Sequence, residues 1–175
     1  MKLKYKLLIL AVIVLLIIVL IVSALVVKRE YGLIPNEKDQ IILNATEESK
    51  RIKDKEQKKP TEITLNDYFN YYNGTDSKIV LVSSPKKKSC IIVEPIIFSI
   101  SQEYNLDIYY LNSDNFSAQD QNNFINSNEY LQKHYDVPLL MIVGNQQILG
   151  KTKGIKDKET YLAFFQKYKI IKKEK

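Results

Sequence analysis

The sequence predicts an α/β domain, a mixed central β-sheet flanked by helices, preceded by one N-terminal transmembrane helix. An unbroken apolar run at residues 7–27 predicts the transmembrane helix. After residue 60, short β-branched runs alternate with stretches of helical periodicity, and this alternation predicts a sheet covered by helices. The chain has 175 residues, a length that suits one such domain with appendages.

The apolar run contains no charged residue and only one polar residue, Ser23. As a helix, its 21 residues span about 31 Å, which matches the hydrocarbon core of a bilayer. A cleaved secretory signal is the alternative, because lysines precede the run and Ser23-Ala24 offers small residues for cleavage. Since the run is longer than the apolar core of a signal peptide, we favour a retained anchor.

The basic residues on the two sides of the run are nearly balanced in number, so they set the orientation weakly. Residues 1–6 form a short tail with three lysines that is difficult to translocate. We therefore expect a cytoplasmic N-terminus, a single pass through the cell membrane and an extracytoplasmic domain.

Residues 28–60 contain nine basic and seven acidic side chains, a composition that predicts a charged stalk or linker without a buried face. A solvated helix over residues 44–59 is compatible with this prediction, since Glu and Lys are good helix formers. The net charge of +6 is spread along the whole chain among carboxylates, so it indicates an anionic membrane surface rather than nucleic acid as a partner.

The predicted domain spans residues 61–175 and begins with a short strand at 61–64. The sequence Thr64-Leu65-Asn66-Asp67 is similar to a capping box and opens a helix that ends at Asn73-Gly74. Residues 78–83 form a continuous β-branched run, which is typical of a strand buried on both faces.

The second half of the domain continues the alternation of helices and strands. Residues 90–104 have apolar side chains at helical spacing, and Pro95 inside them predicts a kink. The polar residues 113–128 are interpreted as an insertion or an irregular loop. The other predicted elements are strands at 106–111, 138–143 and 147–152, a short helix at 129–135 and a closing helix at 157–171.

Three landmarks lie on these elements. The loop Ser84–Cys90 connects a buried strand to a helix, and Pro95 follows Cys90 by five residues. The pair Val137-Pro138 opens another buried strand, and Gly154 follows Pro138 by sixteen residues. In this order the landmarks resemble the thioredoxin family, which has C-x-x-C in the loop, a cis-proline before the strand and a glycine before the last helix.

The resemblance covers roughly residues 61–170, and small membrane-anchored members of low-GC bacteria, including those associated with bacteriocin transport, are similar in layout. It implies a thioredoxin-like fold with a degenerate redox motif, K-x-x-C. Lys87 stands where the family has its attacking cysteine, and Cys90 stands at the second cysteine. Lys86 replaces the usual tryptophan, and Leu81 replaces the buried acid of the preceding strand.

Disulfide exchange needs an exposed thiolate and a resolving thiol, and a lysine at position 87 supplies neither. We therefore expect Cys90 to be a buried, packed side chain and the domain to be a non-catalytic binding or accessory module at the cell envelope. The resemblance implies that Val137 and Pro138 contact an extended peptide or protein partner through the backbone. The alternative is a thiol-disulfide oxidoreductase that works through Cys90 alone or with a partner's cysteine.

Two remaining patterns are weaker. Lys86–Lys88 is either a solvated run or an anion site at a helix N-terminus that contacts acidic lipid or peptide. His134 is the single histidine, so a metal site is not expected, and no cofactor is implied.

Overall fold

The computed structural model describes residues 13–24, 26, 36–53 and 59–172. Contacts divide the chain between Gln40 and Ile41 into two units, which are described separately. In the first unit, residues 13–24 form helix α1, whose apolar side chains are exposed. Within the described residues, no helix combines the length and the apolar character needed to cross a membrane. Residues 7–12, 25 and 27 of the predicted span lie outside the described residues.

The second unit contains a five-stranded sheet with the order β1-β3-β2-β4-β5. β1, β3 and β2 are parallel, whereas β4 pairs antiparallel with β2 and β5 pairs antiparallel with β4. The strands are β1 Thr61–Ile63, β2 Lys78–Ser83, β3 Ile108–Asn112, β4 Leu139–Gly144 and β5 Gln147–Lys153. The helices are α2 Glu37–Lys53, α3 Leu65–Asn73, α4 Lys88–Glu103, α5 Ala118–Asn126, α6 Glu129–His134 and α7 Lys158–Lys167, with a 3₁₀ turn at Ser113–Asn115.

Strand β2 lies in the middle of the sheet and is buried on both faces, as its continuous apolar run predicts. Ile79 and Leu81 face a cluster formed with α2, α4 and α7. Val80 and Val82 face the opposite cluster, which includes side chains of α3, α5 and α6. Successive side chains of a strand point to opposite faces, so one run of residues contributes to both halves of the core.

The predicted capping box at the start of α3 is confirmed. The Thr64 hydroxyl accepts a hydrogen bond from the Asp67 N–H, and the Asp67 carboxylate accepts one from the Thr64 N–H at 2.9 Å. These two bonds satisfy donors that the first turn of a helix otherwise leaves free.

Two predictions from polar composition are wrong. Residues 113–128 are not an irregular insertion, because they contain the 3₁₀ turn and α5, and Phe124 of α5 is fully buried. The stalk does have a buried face, because Ala45, Ser49 and Ile52 of α2 are buried. In both segments a few side chains at helical spacing make the contact, while the polar side chains on the other faces dominate the composition.

The two edges of the sheet differ in length and in side chains. β1 has three residues, and β5 carries the exposed side chains of Lys151 and Lys153. The Lys151 ammonium lies 3.9 Å from the centre of the Tyr130 ring, which holds this lysine against the domain beside the edge.

Candidate functional site

The candidate site lies where the loop after β2 meets the residues before β4. Lys87 is the N-cap of α4, and the Cys90 N–H donates to the Lys87 carbonyl at 3.0 Å. The Val137–Pro138 peptide bond is cis, as the resemblance implied. The Ser89 hydroxyl donates to the Val137 carbonyl at 3.4 Å and so joins the two segments. We call Lys87, Ser89, Asp136, Val137 and Pro138 the Pro138 surface.

Cys90 has no solvent-exposed surface, which confirms the expected burial. Its sulfur accepts a hydrogen bond from the Ser84 N–H at 3.4 Å. Disulfide exchange needs a sulfur atom that a substrate can reach, and a fully buried sulfur is not accessible. Cys90 therefore acts in this structure as a packed side chain that satisfies one backbone donor.

Lys87 forms an ion pair with Asp136. The same Asp136 Oδ1 atom accepts the Val137 N–H at 2.9 Å. The hydrogen bond from Lys87 holds the pKa of Asp136 below its ordinary value, so this carboxylate is charged at neutral pH. The Pro138 surface thus contains a charged pair.

A second aspartate, Asp114, is bonded to the loop between β2 and α4. The Ser84 hydroxyl donates to Asp114 Oδ1 at 2.7 Å, and the Lys86 ammonium lies 3.9 Å from Asp114 Oδ2. The Ser113 hydroxyl donates to the Ser83 carbonyl at 3.0 Å. The segment predicted as an insertion therefore fixes the end of β2 and the start of the lysine loop.

A third polar cluster lies behind the loop, around Glu94 on α4. Glu94 Oε1 accepts hydrogen bonds from the Ser83 hydroxyl at 2.7 Å and from the Tyr110 hydroxyl at 3.0 Å. Burial and the neighbouring Glu94 raise the pKa of Tyr110 above its ordinary value, so the phenol stays protonated and donates. Leu81 is fully buried in the apolar core.

The sequence placed Lys87, Cys90, Val137 and Pro138 in one region, and the structure brings these residues together. Sequence reasoning missed Asp136, although an acid directly before the Val-Pro pair was a usable signal. Asp114 gave no local signal, because it is 30 residues from the serine it binds. Among the described residues, no three His, Cys, Asp or Glu side chains are grouped as a metal site requires.

No protein-family model matches the chain, and no curated protein matches it. Among solved structures, the crystal structure of Chlamydomonas reinhardtii thioredoxin f2 is similar. It is 14% identical, the match covers 65% of this chain and 99% of that chain, and the TM-score is 0.48. The mixed sheet with its flanking helices and cis-proline is a thioredoxin-like α/β fold.

Proposed function

We propose that this chain is a membrane-anchored thioredoxin-like domain that binds a protein partner without catalysing disulfide exchange. The observation that carries the proposal is the ion pair of Asp136 with Lys87, the residue that the resemblance aligns with the family's attacking cysteine. A lysine ammonium cannot form a mixed disulfide, and that intermediate is required for exchange. The buried Cys90 argues against the alternative, an oxidoreductase that uses this thiol alone.

The binding part of the proposal rests on the Pro138 surface. The Val137 N–H and carbonyl are bonded only through side-chain groups, to Asp136 and Ser89, among the bonds of the described residues. A peptide backbone can replace such side-chain partners one for one, as in β-strand addition. Val137, which is partly exposed, is therefore the proposed contact residue for an extended segment of the partner. Pro138, expected from the sequence to make this contact as well, is buried, and its carbonyl already accepts a hydrogen bond from the Gly154 N–H.

The anchoring part rests on residues 7–27. In the described part of this run, residues 13–24 are helical, and large apolar side chains such as Leu20 are more than half exposed. Such a helix gains most by entering lipid, where its backbone bonds are already satisfied internally. We propose a single pass with the domain outside. External protease should digest the domain in intact cells, while a protected domain or a shortened soluble form contradicts the anchor or its orientation.

The catalytic question is tested with the full chain and a chromogenic aromatic disulfide in the presence of dithiothreitol. The native protein should not accelerate reduction above the dithiothreitol background. Catalysis that disappears in Cys90→Ala contradicts the proposal and establishes the oxidoreductase alternative.

The assignment of position 87 is tested by Lys87→Cys. Positions 87 and 90 are one helical turn apart, and this spacing brings their Cα atoms within the ~7 Å that a disulfide needs. Glutathione disulfide should oxidise the two thiols to an internal disulfide and release two molecules of glutathione. Lys88→Cys is the matched control, because residues two positions apart do not face each other on a helix. If the control closes as readily as Lys87→Cys, the placement of Lys87 is wrong.

A further inference from the structure

The Pro138 surface is surrounded by lysines from two separate parts of the chain. Lys86, Lys87 and Lys88 lie on the loop and at the start of α4, and the Lys86 side chain is 84% exposed. Lys153 comes from β5, where it is paired in register with Leu139, the residue that follows Pro138. The Gly154 N–H donates to the Pro138 carbonyl at 2.9 Å, which fixes this end of β5 beside the surface.

The Lys153 ammonium donates to the His134 carbonyl at 3.2 Å. Lys86 lies beside Asp114, whereas Lys87 pairs with Asp136.

The Asp136 Oδ1 atom accepts from the Lys87 ammonium and from the Val137 N–H, so one carboxylate oxygen satisfies a charged donor and a backbone donor together. Lys153 also lies near enough to lower the pKa of Asp136 through its charge, after the larger effect of Lys87. The Asp136 side chain is 61% exposed, and exposed ion pairs contribute little to stability. An external carboxylate can therefore displace it.

We propose that Asp136 is an internal competitor for an acidic, extended segment of the partner, whose carboxylate replaces that of Asp136 on Lys87. The incoming backbone then takes the Val137 N–H, and further acids of the segment face Lys86, Lys88 and Lys153. This inference rests on the proposed binding function and specifies the chemistry of the partner. A lipid headgroup could use the lysine charges, but it has no backbone to pair with Val137, so the geometry favours a peptide.

If Asp136 competes with the peptide for Lys87, replacing Lys87 and replacing Asp136 should change the affinity for the peptide in opposite directions. Removing Lys87 should weaken the binding of an acidic peptide, whereas removing Asp136 should strengthen it. Nonspecific attraction of the peptide to a basic protein does not depend on the Lys87–Asp136 pair. It predicts that replacing Lys87 weakens binding no more than replacing any other lysine. Binding to a neutral surface predicts no dependence on the charge of the peptide.

The experiment uses the full chain in zwitterionic detergent micelles and a fluorescein-labelled decapeptide of alternating Glu and Val. Its matched peptide has Gln in place of every Glu. We expect Lys87→Met to weaken binding of the acidic peptide about threefold to fivefold and Asp136→Ala to tighten it by a similar factor. Lys78→Met is the control, because this substitution removes the same charge at the other end of β2 from Ser83. Binding should also weaken as salt is raised.

Each outcome decides the inference separately from the proposed function. Equal binding of the Glu and Gln peptides, no binding of either, or no tightening in Asp136→Ala overturns the inference but leaves the non-catalytic assignment intact. Vesicles with 30 mol% phosphatidylglycerol in phosphatidylcholine provide the second arm. If they bind better than the peptide, depend on Lys87 and ignore Asp136, the lysines serve lipid and the inference is overturned. Disulfide-reductase activity of the native chain, by contrast, overturns the proposed function.

Discussion

Helices α2 and α5 both lie in polar sequence, but they attach to the domain through different kinds of side chain. α2 places small residues in the contact: Ala45 and Ser49 are nearly inaccessible to solvent, and Ile52 lies one turn further on. α5 uses one aromatic residue, Phe124, as its buried side chain. Small residues let a helix backbone approach its neighbour, whereas a single ring fills a pocket between elements. Helices α2 and α5 are therefore similar in polar composition but pack in two different ways, and they should respond differently to mutation.

Helix α2 also supplies a hydrogen-bond donor to helix α4, which it contacts. Pro95 has no N–H, so the carbonyl of Ile91 lacks the donor that residue 95 would otherwise supply within α4. The Ser49 hydroxyl donates to this carbonyl at 3.5 Å. The loss of a helix hydrogen bond is destabilising, and the Ser49 hydroxyl supplies a donor at the position where Pro95 removes one.

The largest effect is expected from Phe124→Ala. The Phe124 ring contacts those of Tyr68 and Tyr135 with centroid distances of 4.9 and 5.4 Å, so truncation leaves a cavity that rigid aromatic neighbours cannot fill. We expect a loss of about 3–5 kcal/mol in the free energy of unfolding, measured by denaturant titration of the full chain. Phe124→Leu should lose clearly less. A loss below about 1 kcal/mol for Phe124→Ala would mean that α5 is not part of the cooperative core.

Overfilling the α2 contact should have the next largest effect. Ala45→Leu adds bulk where the helix has no space, and we expect a destabilisation of about 1–3 kcal/mol. Leu43 lies on the same helix but is 46% exposed, so Leu43→Ala is the matched control with an expected change within about 0.5 kcal/mol. Equal melting temperatures of Ala45→Leu and the native chain would show that α2 does not pack on the domain.

The role of Ser49 requires a double-mutant cycle. Ser49→Ala leaves the Ile91 carbonyl without its side-chain donor, and we expect a loss of about 1 kcal/mol. In a Pro95→Ala background, an N–H is available again within α4, so the same Ser49→Ala change should lose measurably less. Additive effects of the two substitutions would show that Ser49 does not compensate for the proline.

The smallest effect concerns the start of α5, where Ser117 and Asp120 form a capping box. The hydrogen bond from Ser117 lowers the pKa of Asp120 below its ordinary value of 3.8. Because the pKa is lower in the folded state, the stabilisation is present above the unfolded pKa and is lost as pH falls through the folded pKa. Asp120→Asn should therefore reduce the drop in melting temperature between pH 6 and pH 3. Asp76→Asn, at an exposed aspartate outside any helix, is the control. Identical pH profiles for Asp120→Asn and native protein contradict this role.

The sequence predicted the mixed sheet and most of the order of its elements along the chain, because strand and helix periodicity are local properties. The apolar run of β2 and the capping box at Thr64 could be read from a few adjacent residues, whereas the cis-proline was implied only by the family resemblance. The stripe formed by Ala45, Ser49 and Ile52 was also readable, since its spacing is helical, but segment composition obscured it. The bonds from Asp114 to the loop depend on tertiary contacts over long sequence separation, and only the folded chain shows them.

The short β1 edge and the two lysines on β5 affect how copies of the molecule interact at high local concentration. Unpaired strand edges are templates on which another chain can add a strand, and charged side chains on an edge make that addition unfavourable. On the proposed membrane anchor, copies of the chain share one surface and meet each other more often than molecules in dilute solution. The short length of β1 protects that edge against edge-to-edge aggregation under those conditions. The charges of Lys151 and Lys153 protect the β5 edge. The same lysine, Lys153, that faces the proposed partner thus also helps to keep neighbouring copies apart.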